Sequence, residues 1–209
     1  MDSLTHIVFG AALGEALLGK KVGKKAMLLG AIANTIPDLD VFLVMGDPIR
    51  EITLHRGFSH SLLFSVLAAP FLAWLAQRYL KDRIGFRIWL LFFFCLLVTH
   101  PLLDCLTTYG TQFLLPFSDY RVNLNSLFII DVVFTLPMLV ACIACLILRN
   151  GNPKRTIWAR TAVRLSAQFF GPHLLYSPTF TIPVWQSSVY CHLKYARGKT
   201  PQRLIFSGF

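Results

Sequence analysis

Three apolar stretches, Phe58 to Gln77, Ile84 to Leu103 and Ser126 to Leu148, each approach the ~20 residues that a helix needs to cross a hydrocarbon core. Composition agrees: 55% apolar and only 14% charged residues, with a mean hydropathy of +0.59, lie outside the usual range of soluble globular chains. The abundance of Phe fits as well, because Phe is readily left facing lipid tails. Two weaker segments come first. Leu4 to Gly19 is rich in Gly and Ala and interrupted by Glu15, and Ala26 to Met45 is broken by Asn34 and by Pro37-Asp38-Leu39-Asp40. Both read as helices that pack on protein rather than face lipid all round. The expected fold is an all-α, polytopic membrane helix bundle of about five membrane-associated helices. The start, Met1-Asp2-Ser3-Leu4-Thr5-His6, has no basic leader region, so it is expected to be retained.

Charge gives the expected topology. Lys20 to Lys25, Arg78 to Arg87 and Arg149 to Arg164 are the basic connections, and the positive-inside rule places all three in the cytoplasm. The N-terminus, residues 46–57 and the loop 107–125 then fall on the extracytoplasmic side. All ten acidic residues precede residue 150, and the last 59 residues carry eight Lys and Arg with no acid. The formal charge of +10 is therefore concentrated in a tail, for which anionic membrane lipid is a better partner than nucleic acid. Residues 1–148 are expected to form the membrane-embedded domain, and residues 149–209 a basic, poorly ordered tail. A stretch of this length without Asp or Glu is also what a truncated or frame-shifted gene product yields. The five Cys are odd in number and mostly lie in apolar runs, so neither a disulfide framework nor a Cys142/Cys145 redox pair is expected.

With that topology, His6, Asp38, Asp40, His55, His60, His100, Asp104 and Asp131 all fall near one depth. Acids and imidazoles beside membrane segments persist mainly when they pair, face a cavity or bind an ion. His100-Pro101-Leu102-Leu103-Asp104 puts an imidazole and a carboxylate one helical turn apart on one face, and Pro101 suggests that the pair sits on a first turn after a break. His55-Arg56-Gly57-Phe58-Ser59-His60-Ser61 offers two imidazoles around a turn-forming Gly, with Arg56 to hold an anionic group. So many N and O donors on one side suit a hard or borderline divalent metal. Serine-nucleophile chemistry is not suggested, because no G-x-S-x-G is present, and Schiff-base chemistry lacks a lysine in the set.

These blocks, together with Ile36-Pro37-Asp38-Leu39-Asp40 and Thr108-Tyr109-Gly110-Thr111-Gln112, resemble in order the signature blocks of YdjM-type inner-membrane metal-dependent hydrolases of bacteria. The H-x-x-x-D block is also similar, more distantly, to that of zinc-dependent phospholipases C. The resemblance covers residues 1 to about 148. Val132 stands where members often carry Pro after the last aspartate, and from about residue 165 the chain departs from the usual continuation. It implies a hydrolase at the bacterial inner (cytoplasmic) membrane. The expected ligands of a divalent metal, Zn first among them, are His6, Asp38, His55, His60, His100 and Asp104, with Asp40, Arg56 and Asp131 as catalytic candidates. The metal would activate water for attack on an ester or phosphoester, a lipid-like molecule approaching from the outer leaflet being one candidate. Two alternatives use the same sequence: a metal or proton transporter built on the same ligands, or a membrane scaffold acting through its basic tail.

Overall fold

The computed structural model describes residues 2–43, 56–80, 84–124, 127–128 and 131–168, and these form six α-helices and no strand. They are α1 Ser3–Val22, α2 Lys25–Thr35, α3 Leu62–Leu80, α4 Phe86–Cys105, α5 Val132–Ile147 and α6 Pro153–Gln168. Two 3-10 segments, Ile36–Leu43 and Phe58–His60, follow α2 and precede α3. The all-helical expectation stands, with one helix more than the five anticipated. Among the described residues, only α3 and α4 are long and apolar enough by themselves to cross a membrane; α5 is also apolar but has 16 residues.

Local chemistry explains the boundaries. Asp2 caps α1, its carboxylate accepting from the Thr5 N–H at 3.3 Å and the Thr5 hydroxyl at 2.6 Å, which sets His6 one turn into the helix. Helix α2 gives way to the 3-10 segment at Ile36, because Pro37 has no N–H to continue the α ladder. Within the stretch Ser126 to Leu148, α5 starts at Val132, and Asp131 caps it by accepting from the Phe134 N–H at 3.0 Å. Pro101 lies inside α4, which runs on through Cys105. The expected break before the His100/Asp104 pair is thus absent, and the two share an uninterrupted helix.

Helices α1 and α2 form a tight hairpin through small residues. A β-carbon on Gly10 would lie 2.5 Å from both the Gly30 carbonyl oxygen and the Asn34 β-carbon, and one on Gly30 would collide with the Gly10 carbonyl. In lipid, such close approach replaces the hydrophobic drive that water supplies to soluble helices. Gly30→Val is expected to destabilise the detergent-solubilised protein by about 3 kcal/mol or more, read as a lowered thermal unfolding midpoint. An unchanged midpoint would show that the hairpin is not close-packed.

Helix α4 is the centre of the bundle: Trp89, Phe92, Phe93, Leu96, Leu97 and Leu103 are buried. Helix α3 pairs with α4 and leaves Val66, Leu67, Phe71 and Trp74 exposed, a face suited to lipid. The basic region after residue 149 corrects the expectation of a poorly packed tail. Its first part is α6, whose Arg155, Thr156, Ala159, Ala162 and Ser166 are buried against α1 and α5. The cause is Glu15 on α1, which would otherwise be a buried lone charge: the Arg155 guanidinium donates to it at 2.6 Å and to the Asn150 side-chain oxygen at 2.5 Å. Residues 169–209 lie outside the described residues. Cys142 and Cys145 donate weakly to the carbonyls of Val8 and Arg155 and serve as small packing groups.

Candidate metal centre

The broken end of α2 builds the first part of the site. In a 3-10 pattern the partner of the Asn34 carbonyl would be the N–H of Pro37, which does not exist, and that carbonyl instead accepts from His100 Nδ1 at 2.5 Å. His100 Nδ1 must therefore carry the proton, so its Nε2 presents a lone pair to the bundle interior. The Asn34 side chain donates to the His6 carbonyl at 2.8 Å and ties the same turn to α1.

The turn before α3 builds the second part. Arg56 adopts a left-handed backbone (φ 63), pinned on both sides: its N–H donates to Asp40 Oδ2 at 3.3 Å, and its carbonyl accepts from the Gln112 N–H at 3.3 Å. The Ser59 hydroxyl donates to Asp40 Oδ2 at 2.7 Å and so accepts from His60 Nδ1 at 2.9 Å. His60 then shares the tautomer of His100, with Nε2 facing inward. The two Nε2 atoms are 3.0 Å apart, so at most one of them can hold a proton.

Carboxylates complete the group. Asp38 Oδ1 lies 3.4 Å from His60 Nε2 and 3.3 Å from His100 Nε2, while Asp104 Oδ2 lies 3.4 Å and 3.5 Å from the same atoms. All four donor atoms fall within 4.8 Å of one another. A tetrahedral ion with ligands at ~2.0–2.1 Å has edges of about 3.3–3.4 Å, which the four imidazole–carboxylate separations match, so two nitrogens and two oxygens could hold one small divalent cation after a modest closing of the two carboxylates. The side chains of His60, His100 and Asp104 are essentially inaccessible, and Asp38, at 14% exposure, is the member reached from outside. Burial, the largest influence, holds the His60 imidazole below its ordinary pKa against the pull of Asp38. For Asp38, burial alone would raise the pKa, but hydrogen bonds with His100 and His60 outweigh it and hold the carboxyl well below the usual carboxylate range.

The remaining candidates have other places. His6 stacks on His100 with ring centroids 3.7 Å apart and donates from Nε2 to Asp104 Oδ1 at 3.3 Å, so it holds a ligand rather than joining the four. Arg56 Nη2 meets the same Asp104 oxygen at 3.2 Å, and its Nη1 donates to the Thr107 hydroxyl at 3.1 Å. With Oδ1 engaged by two cationic or hydrogen-bonding partners, Oδ2 is the oxygen turned to the cluster. Asp40 orients His60 through Ser59. Asp131 is a correction: its carboxylate caps α5, satisfying a helix N–H that would otherwise lack a partner, and among the described residues no contact joins it to the cluster. His55 lies outside the described residues. Asn34, Ser59 and Thr107 were not anticipated; Ser59, adjacent to His60, and Asn34, three residues before Pro37, carried a visible signal.

The fold and this centre define an all-helical membrane protein with a buried two-His, two-Asp group of metal-ligand geometry. The family model described as YdjM inner membrane protein matches residues 1–175, and the chain belongs to that family. The match extends past residue 148 to include α6, consistent with the packing of that helix. Inner membrane protein YbcI of Escherichia coli (strain K12) is 31% identical over 121 residues, covering 56% of this chain and 69% of YbcI. The uncharacterized protein YfhP of Bacillus subtilis (strain 168) is 33% identical over 135 residues, covering 60% of this chain but only 40% of YfhP. No solved structure matches.

Proposed function

We infer that the protein is a metal-dependent hydrolase of the inner membrane, acting on an ester or phosphoester. The carrying observation is the convergence of four donor atoms from the two 3-10 segments and α4, with both imidazole Nδ1 atoms committed elsewhere. A bound divalent ion, Zn²⁺ being the best fit to this donor set, would lower the pKa of water and polarise the substrate. The chain's own residues do the rest. Asn34 and the Ser59–Asp40 pair fix the two imidazoles, and such supporting contacts govern ligand basicity and orientation. His6 and Arg56 hold Asp104 so that it presents one oxygen. Asp38 Oδ2 accepts from the Ser3 hydroxyl at 3.4 Å on the more exposed side, where it would orient an incoming nucleophile by hydrogen bonding.

One contact set supports the expected membrane sidedness. Lys24, in the α1–α2 turn, donates to the Leu146 carbonyl and from its N–H to the Asn150 side chain at 3.3 Å, so two of the basic connections meet. The positive-inside rule favours the cytoplasm for that end, and this supports an extracytoplasmic position for the metal-type centre in a multi-pass bundle. A reporter fused at residue 115 should therefore read extracytoplasmic; a cytoplasmic signal sinks this orientation. A transporter built on the same ligands would need them along a path, whereas the group is closed except at Asp38.

The reading is tested by assaying purified protein against ester and phosphoester substrates before and after chelation. Hydrolysis should fall to background on metal removal and return when Zn²⁺ is restored. Turnover that ignores chelation would overturn it.

A further inference from the structure

Helix α6 packs on the bundle with one face and shows a different chemistry on the other. Arg155, Ala159 and Ala162 point inward, whereas Lys154, Ile157, Trp158, Arg160, Arg164 and Leu165 are exposed. At about 100° per residue these outward side chains fall into two rows, Lys154–Trp158–Leu165 and Ile157–Arg160–Arg164. Each row mixes large apolar groups with cations.

Neither hydrocarbon nor water alone suits such a face. Cations are costly against lipid tails, which keeps Arg160 and Arg164 out of the apolar slab. Ile157 at 63% exposure and Trp158 at 46% bury nothing if the helix stands in water. The headgroup region satisfies both: tryptophan rings settle there, and lysine and arginine stems lie along apolar surface while their charged ends reach the phosphates. A helix of this pattern lies in the plane of the interface.

Charge selects the lipid. Lys20, Lys21, Lys25 and Arg149 are exposed at the same end of the bundle, where Lys24 bonds the Leu146 carbonyl and the Asn150 side chain just ahead of α6. No acid stands on α6, and Glu15 beneath it is committed to Arg155. The exposed charge of the helix is therefore all positive. A surface of zwitterionic headgroups offers it little net attraction, whereas anionic headgroups gain with each basic residue brought near them.

We propose that α6 lies in the membrane surface at the Lys24 end and collects anionic phospholipid, with Lys154, Arg160 and Arg164 at the phosphates and Ile157, Trp158 and Leu165 at the acyl boundary. A nucleic acid would meet the cations but leave Ile157 and Leu165 in water. The proposal is independent of the hydrolytic reading, because α6 lies at the opposite end of α1 from the metal-type centre.

The experiment uses the full chain in phosphatidylcholine nanodiscs containing, as a minor component, phosphatidylglycerol or phosphatidylcholine with brominated acyl chains, which quench nearby tryptophan. The Trp158 signal is the difference between native protein and Trp158→Phe. Brominated phosphatidylglycerol should quench it at least about threefold more than brominated phosphatidylcholine at equal content, and high salt should shrink that excess. Lys154→Gln, Arg160→Gln and Arg164→Gln together should make the two lipids equal while leaving quenching by phosphatidylcholine in place. Equal quenching by the two lipids in the native protein, or a Trp158 that neither lipid quenches, overturns the proposal even if the triple variant fails to fold. A triple variant that keeps the native preference overturns it as well. Loss of the lipid preference when an oligonucleotide binds the native protein at physiological salt, with no such preference in its absence, would assign the face to nucleic acid instead.

Discussion

Asp104→Asn is expected to weaken divalent-metal binding by more than about 100-fold and to bring metal-dependent hydrolysis to background, although the side chain keeps its size. Asp104 is a hub: one oxygen receives His6 and Arg56, and the other faces both inward imidazoles. Asparagine can still accept from His6 or Arg56 with its carbonyl oxygen, but it then offers the ion an amide N–H₂, a donor where an anionic acceptor is required. The substitution therefore separates a centre that binds a cation from a mere network of buried hydrogen bonds, which an amide would largely preserve. Titration against a chelator of known affinity reads the effect. An affinity within threefold of the native protein, comfortably inside ~1 kcal/mol, would contradict the assignment of Asp104 as a ligand.

The second large effect lies at the opposite end of α1. Arg155→Ala should destabilise the protein by about 3–5 kcal/mol, because it leaves Glu15 buried and uncompensated. Glu15→Leu combined with Arg155→Met should recover most of that loss, since an apolar pair of similar volume removes both desolvation penalties. Unfolding of detergent-solubilised protein measures all three. If Arg155→Ala alone costs less than about 1 kcal/mol, the pair is behaving like an exposed salt bridge and does not fasten α6 to the bundle.

The sequence made the site more legible than the scaffold. Acids and imidazoles in apolar surroundings stand out one residue at a time, and the positive-inside argument brought His6, Asp38, His60, His100 and Asp104 to one level without any structure. Their division of labour was not legible. Whether His6 binds an ion or holds Asp104 depends on ring orientation, and Asn34 contributes through a carbonyl that every residue possesses. The loss of its helix partner at Pro37, visible in the sequence, was the available clue. Asp131 shows the converse: a lone carboxylate before an apolar run is equally the mark of a helix cap. The packing of α6 was missed because its apolar stripe is weak. What binds it is one long-range pair between Glu15 and Arg155, and pairing across 140 residues leaves no periodic trace. Pro101 misled for a physical reason too, because membrane helices tolerate interior prolines when neighbouring groups satisfy the freed carbonyl.

Metal analysis of detergent-purified protein, native beside His100→Ala, tests the central claim most directly. The native protein should carry a divalent metal in stoichiometric amount, with Zn²⁺ the expected ion. His100→Ala should lose it while still unfolding cooperatively. Native protein that stays metal-free after exposure to Zn²⁺, or a variant that retains the native metal content, would contradict the account.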